Sequence, residues 1–502
     1  MKKQHELMTM TTLFRLRTPL LALALLSAGP LLSGCSTSEA TGRTFFNGGL
    51  SPAQEQKLGA TEHVKIVKEF GGTYDEDPAL TKYISSLGNF LAKTSETPDQ
   101  KFTFTLLDSP VVNAFALPGG YVYTTRGLLA LANDEAEIAG VIAHEIGHVT
   151  AKHSAERYGS TLTANILAAG VGILTGSGQA AQAVGTAGAV AVQSFSRDQE
   201  FEADLLGVRY LSRGGFDPNG MGDFLTQLQS SSRLDAEIAG NPGRADQFNI
   251  MQTHPRTADR IQRAIQQAGT KTVNNPIVGR DVYLKKIDGM LYGDDPSQGY
   301  IRGQRFSHPE LKLTFTAPDG FRLINSKTQV AAVGPEDSLV IFDGAKGDVS
   351  GSLKNYLTNV WAKNVRLQDV EKITINGMEA VTGRATQINT KSGKKDYRLI
   401  AIRFSGNKVY RLTFRTDPSQ TNRFSEDFRR TTYSFKKLSS AEVTKLKPYR
   451  LKIHTVRSGD TLTSLARKMP FADYKLERLL VLNGLNKNSQ LARGQKIKLV
   501  TE

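Results

Sequence analysis

Val141-Ile142-Ala143-His144-Glu145-Ile146-Gly147-His148-Val149-Thr150 is the stretch that decides the reading of this chain. Its centre is the pattern H-E-x-x-H, which acquires chemical meaning on a helix. Residues four apart lie one turn apart on one face, so both imidazoles can reach a single metal ion. Glu145 sits about 100° round from His144, where it can face a water without being a ligand. Zinc takes nitrogen and oxygen donors, and with three protein ligands it keeps a position for a water that a neighbouring carboxylate can deprotonate. The local sequence supports a helix. Asn133 or Asp134 can cap it, Glu137 can complete a capping box, and Ile138, Val141, Ile142 and Val149 form an apolar stripe. Gly159 is the expected stop.

Working outward, the third ligand must come from another helix. Ser196-Arg197-Asp198-Gln199-Glu200-Phe201-Glu202-Ala203-Asp204 opens a helix through Leu205, Val208 and Leu211. Glu200 and Asp204 share a face there, and Glu202 points about 200° away from Glu200. One of the two carboxylates can bind zinc while the other accepts the outer N–H of a ligand histidine. Upstream, Phe102–Leu107 alternates as a strand. Val111–Thr124 reads as two strands around Pro118-Gly119, a pair that suits a type II turn. An edge strand beside the zinc, Asn113-Ala114-Phe115-Ala116, can hold substrate as an added strand. Ser51–Phe70 and Pro78–Lys93 are expected helices. Leu162–Phe195 is rich in Ala and Gly and nearly uncharged, suited to packing over the site or against a membrane surface.

Residues 51–270 resemble the HtpX/Oma-like zinc metallopeptidases, gluzincins in their bacterial periplasmic form. The motifs are Asn113-Ala-Phe-Ala-Leu-Pro-Gly-Gly, His144-Glu145-Ile146-Gly147-His148 and Ser196-Arg197-x-x-Glu200-x-x-Ala203-Asp204. The resemblance implies His144, His148 and Glu200 as ligands of one zinc per chain, Glu145 as general base and Asp204 as support for a ligand histidine. The rival class with a third histidine fails, because Ala151 and Ser154 stand at its Gly and His positions. Thr253-His254-Pro255, with Arg260 six residues after His254, is similar to the family's T-H-P loop. The family implies that His254 can approach the zinc and close the site, with Arg260 near the substrate.

The first 35 residues read as an export signal. Lys2, Lys3, Arg15 and Arg17 precede the apolar run Pro19–Leu32, which is too short to span a bilayer. Leu32-Ser33-Gly34-Cys35 resembles a bacterial lipobox, and Cys35 is the only cysteine in the chain. Lipidation of Cys35 and a membrane anchor facing the periplasm are expected. Ser36 in place of Asp resembles the outer-membrane sorting signature. One cysteine excludes internal disulfides and thiolate metal clusters. Residues 36–50 read as a tether.

Charge is uneven along the chain. Of 63 basic and 48 acidic residues, 37 and 18 lie after residue 300. In an exported lipoprotein this excludes nucleic acid as the expected partner and favours anionic lipid or cell-wall carboxylates, or a plain solvated surface. Gly293–Gly299 is a linker by composition. Residues 303–437 are strand-rich with one clear helix at Leu353–Lys363, and resemble PsbP-like α/β sandwich domains. Lys437–Arg450 reads as a basic linker. His454–Ala466, Tyr474–Leu482 and Leu491–Leu499 make a β-α-α-β pattern that resembles LysM modules, whose relatives bind the glycan of peptidoglycan.

The expected architecture is multidomain α+β. A mainly helical zincin peptidase domain with a small sheet spans 51–292, an α/β sandwich-like domain 303–437, and a LysM-like module 451–502. The expected function is a zinc metalloendopeptidase cutting misfolded or misassembled envelope proteins. A hydrolase of peptidoglycan stem peptides and a non-enzymatic envelope chaperone are the alternatives.

Overall fold

The computed structural model describes residues 35–160, 195–240, 254, 258–326, 328–390 and 392–502. The expected export signal before Cys35, most of the Ala/Gly-rich stretch, Thr253 and Pro255 lie outside them. The described part has a helical N-terminal region with a small sheet, a sheet-rich region, and a small module at the C-terminus.

Two short strands, β1 (Cys35–Thr37) and β2 (Thr44–Phe46), pair antiparallel at the start of the described residues. This segment is no free tether, because Ser38, Phe45 and Asn47 are buried. Helix α1 (Pro52–Glu69) starts on a capping box between Ser51 and Gln54, and α2 (Pro78–Ala92) is capped by Asp77. Strands β3 (Thr103–Leu107), β4 (Ala114–Leu117) and β5 (Tyr121–Thr125) form a sheet in the order β3-β5-β4. The Pro118–Gly120 turn has Gly119 and Gly120 at φ +81° and +85°. A Cβ on Gly119 would lie 2.7 Å from the backbone of Gln56, so glycine is needed there on both counts.

Helix α3 (Arg126–Leu131) follows, then α4 (Glu135–Thr150), α5 (Arg197–Arg213), α6 (Gly220–Ile238), α7 (Ala258–Gly269) and α8 (Arg280–Ile287). Asp134 caps α4 as expected. The Glu137 carboxylate reaches one residue further back, accepting from the Asn133 N–H at 2.8 Å. The helix ends at Thr150, not Gly159, because Lys152 takes φ +63° and starts a second helical run over 153–160. Instead of a stripe, α4 buries every residue from Ala136 to Thr150.

Among residues 300–437, a seven-stranded antiparallel sheet runs in the order 322–325, 329–333, 339–344, 408–416, 393–405, 378–390, 368–375. Helix Thr421–Ser434, which the sequence reading missed, covers one face through Phe424 and Phe428. Its apolar stripe is narrow but clearly helical in period, with Phe424 and Phe428 facing the core and charged residues opposite. On the other face the expected helix is present as one α-turn, Leu353–Asn355, that continues into a π-helix, Tyr356–Trp361. The expected basic linker holds a strand, Lys436–Lys437, and a short helix, Ser440–Thr444.

The C-terminal module has strands Tyr449–Thr455 and Lys496–Thr501 around helices Leu462–Arg467 and Lys475–Leu482. It is not a bead on a string. Its first strand also pairs with β6 (Leu291–Tyr292) of the peptidase region. Leu451, Leu465, Leu479 and Ile497 share one apolar core with Leu80, Ile138, Ile142 and Leu206. The Lys498 ammonium is fully buried and donates to the carbonyls of Ala130, Leu131 and Ala132 at 2.8, 3.0 and 2.6 Å. Those are orphan acceptors at the end of α3. Arg280 ties the same corner, donating to Asn133 O and Lys496 O. No helix among the described residues is long and apolar enough to cross a membrane.

Candidate active site

Helices α4 and α5 meet backbone to backbone, and glycine is the reason. A Cβ on Gly147 would sit 3.0 Å from Ala203 O, and one on Gly207 would sit 3.1 Å from His144 N. This close approach puts the acidic cluster of α5 against the histidines of α4. Ser196 and Gln199 form the capping box that fixes where α5 begins, one residue after which Glu200 is placed.

The ring Nε2 atoms of His144 and His148 lie 3.0 Å apart. His254 Nδ1 is 3.3 Å from His144 Nε2 and 2.9 Å from Glu200 Oε1. Glu200 Oε1 is 3.6 Å from His148 Nε2, and Oε2 is 3.7 Å from His144 Nε2. One donor atom from each of these four buried residues falls within 4.8 Å of the others. Three imidazoles and a carboxylate closed on one point form a zinc-type donor set. Glu145 is fully buried beside them, and neither of its oxygens has a hydrogen-bond partner. Buried carboxylate oxygens are rarely left so, which fits a group whose partners arrive with metal, water or substrate.

Around this centre, Asp204 Oδ1 lies 2.9 Å from His144 Nδ1, the outward side of that ring. Arg260 is almost fully buried and grips both α5 carboxylates, with Nη1 2.5 Å from Glu200 Oε2 and Nη2 2.7 Å from Asp204 Oδ1. The sequence reading set Arg260 near substrate; the structure brings it into contact with Glu200 and Asp204. Asn113–Ala116 stands at the sheet edge, as expected, with Ala114–Ala116 buried and packed near α4. Asn113 Oδ1 has no hydrogen-bond partner. Cys35 is exposed in β1.

The electrostatics follow from burial and charge together. Burial pushes the Glu145 carboxyl above its ordinary range, against the pull of His254 and His144. Burial acts the same way on Glu200, but His254 and Arg260 outweigh it and hold Glu200 ionised. For His254 burial disfavours charge, and the Glu200 and Glu145 carboxylates overcome it. Burial, then the neighbouring rings, keep His148 neutral, the form a ligand needs.

Three residues near the site escaped the sequence reading. His153 Nδ1 is 2.8 Å from His148 Nδ1. Phe195 stacks on His148 with centroids 3.7 Å apart, and the Arg157 guanidinium lies 3.6 Å over that phenylalanine. A continuous helix would carry residue 153 about 140° away from 148, so only the break at Lys152 brings His153 in. The sequence holds no strong signal for that break.

Residues 78–268 match the family model described as Peptidase family M48. That segment is an M48 metallopeptidase domain. The family is zinc-dependent, in keeping with the donor set of the M48 domain. Residues 454–500 match the LysM domain model. The chain is 30% identical over 300 residues to the beta-barrel assembly-enhancing protease of Yersinia pestis, covering 54% of this chain and 57% of that one. It is 29% identical over 211 residues to the mitochondrial metalloendopeptidase OMA1 of Schizosaccharomyces pombe, covering 42% and 59%. The chain thus spans little more than half the length of these relatives. Among solved structures, the cyanobacterial PsbP of Synechocystis is similar at TM-score 0.23 and 13% identity, covering 29% of this chain and 98% of that chain.

Proposed function

We propose that this chain is a zinc-dependent metalloendopeptidase that hydrolyses misfolded or misassembled proteins of the cell envelope. The observation that carries the reading is the buried Glu145 carboxylate, without a hydrogen-bond partner, beside four converging buried donors. His144, His148 and Glu200 would hold the ion, which supplies Lewis acidity toward a water and the scissile carbonyl. Glu145 takes the proton of the attacking water and returns it to the leaving amine, and its raised pKa suits both halves of that task. Asp204 holds the His144 ring, and Arg260 holds Asp204 and Glu200 in place. Substrate adds as a strand along Asn113–Ala116. His254, in contact with Glu200 and close to Glu145, acts as a latch that incoming substrate displaces.

The relatives named for β-barrel assembly and mitochondrial proteolysis support a protein substrate, and the first of them supports an envelope location. In this reading Cys35 carries the lipid, the protein faces the periplasm from the outer membrane, and the LysM module holds peptidoglycan. The loops 457–461 and 486–490 of that module are largely exposed, so glycan can reach them.

Casein and muropeptides, offered separately to purified protein, separate this reading from that of a stem-peptide hydrolase. Cleavage of casein alone is expected. A Glu145→Gln variant should lose about 10²–10⁴-fold in rate with its zinc content intact. Full activity in that variant sinks the assignment of the base, and no cleavage by the wild type returns the chaperone reading. Lipid labelling should disappear in Cys35→Ser.

A further inference from the structure

Three features lie outside the catalytic groups. The cleft of about 580 Å³ between the seven-stranded sheet and helix Thr421–Ser434 mixes Arg384, Arg398 and Arg429 with Glu371, Asp396 and Glu426. Its charges cancel, and it selects no ligand. The cleft of about 830 Å³ along α2 is a shallow surface groove around Phe90. The third candidate is a line of polar contacts that leaves the metal site from His148 and ends in the N-terminal hairpin.

His148 Nδ1 lies 2.8 Å from His153 Nδ1, and His153 Nε2 lies 2.8 Å from Glu202 Oε2. Arg43, in the hairpin loop between β1 and β2, approaches Glu202 Oε2 at 3.3 Å through Nε. Its Nη1 and Nη2 donate to Glu156 at 2.7 and 2.8 Å. Gln199 donates to the same Glu156, fixing that carboxylate from α5. The hairpin is also pinned to the end of α4, where Ser38 Oγ donates to Thr150 O at 3.0 Å. His153 is fully buried.

With both rings neutral, the chemistry of these groups allows one arrangement of protons. A carboxylate only accepts, so His153 must carry its hydrogen on Nε2, facing Glu202. Neutral His153 then offers a lone pair at Nδ1. His148 must donate to it, with its own hydrogen on Nδ1, which leaves the His148 Nε2 lone pair directed into the donor cluster. The opposite tautomer of His153 would put two lone pairs, or two hydrogens, face to face at one of the two short contacts.

Resting on the reading of His148 as a metal ligand, we infer that His153, Glu202 and Arg43 form a positioning chain that fixes the ligating tautomer of His148. It anchors that histidine to the hairpin following Cys35. It does for His148 what Asp204 does for His144, with a histidine interposed. These are positioning residues, since none of them touches the substrate or the ion. The polar hairpin is thereby part of the metal site's support.

The test uses the full chain with Zn²⁺ or Co²⁺ as probe. Zinc affinity is measured by competition with a chelator, and ligand N–H protons are read as exchangeable paramagnetically shifted resonances of the cobalt form. His153→Leu, which removes the acceptor, should weaken zinc binding about 10–100-fold and lose the His148 Nδ1–H resonance to fast exchange. His153→Gln, whose amide oxygen can accept from His148, should recover most of both. Arg43→Ala should weaken binding by a smaller factor, with Arg43→Lys closer to wild type. Wild-type affinity with a retained resonance in His153→Leu overturns the inference. Equal losses in the Leu and Gln variants overturn it as well, since they assign His153 to packing alone. An unchanged Arg43→Ala removes the hairpin from the chain. If the wild type binds no zinc, or His148→Ala binds it as well as wild type, the ligand reading itself fails instead.

Discussion

His254 is held by two carboxylates, 2.9 Å from Glu200 and 3.5 Å from Glu145. A ring in that position competes with water for the place where Glu145 must work. His254→Ala should therefore raise proteolysis of casein and self-cleavage, with one zinc per chain still bound. A lower turnover at constant zinc would assign His254 to the transition state instead. At this scale the sequence was informative wherever a motif carried the chemistry. His144, Glu145 and His148 were legible because a helix of known pitch turns spacing into direction, and the same pitch put Glu200 and Asp204 on one face without deciding between them. Arg260 was visible as a residue but not as a contact, since its partners lie 56 or more positions away in the chain. His153 was invisible, because its role depends on a single left-handed residue, Lys152, that no local preference demanded.

Helices α4 and α5 depend on each other for the geometry of the site, and Gly147 sets their separation. Gly147→Val must push its branched side chain against Ala203 O and Leu206, and neither backbone can retreat without carrying Glu200 along. The expected result is a loss of about 1–3 kcal/mol in stability. Zinc should become extractable at a chelator concentration the wild type resists. Differential scanning calorimetry of zinc-loaded and stripped protein checks both. A melting temperature equal to wild type, with zinc equally retained, would mean the helices can part freely. The element boundaries read from sequence held where a cap or a glycine turn defined them, as at Ser51, Asp77, Ser196 and Pro118-Gly119. They slipped at Tyr356–Trp361, where the expected helix continues as a π-helix, and at Thr421–Ser434, an amphipathic helix passed over among strands.

At the scale of the molecule, the sequence divides into the expected regions, yet composition could not say that the first and last of them share a core. That union rests on pairings across more than 150 residues, such as Tyr449 with Tyr292, and on Lys498. Burial lowers the pKa of this lysine, and Glu137 opposes the shift. All three ammonium hydrogens are used on α3 carbonyls, one residue before the Asn133-Asp134 turn that opens the catalytic helix. Lys498→Met would leave three buried acceptors without donors and should cost about 2–3 kcal/mol. Chemical denaturation followed by both zinc release and circular dichroism should show the two falling together. Separate transitions would mean that the module and the peptidase domain fold apart.

That last strand has a genetic consequence. Residues 496–501 lie far downstream of the metal-site residues, so their codons are translated after every codon of that site. A premature stop between Asn483 and Lys498 spares every codon of the metal site, yet it deletes the lysine that seats the turn in front of His144. Such alleles should behave in a screen as loss of the protease, and not as a protease that has merely lost its hold on the wall.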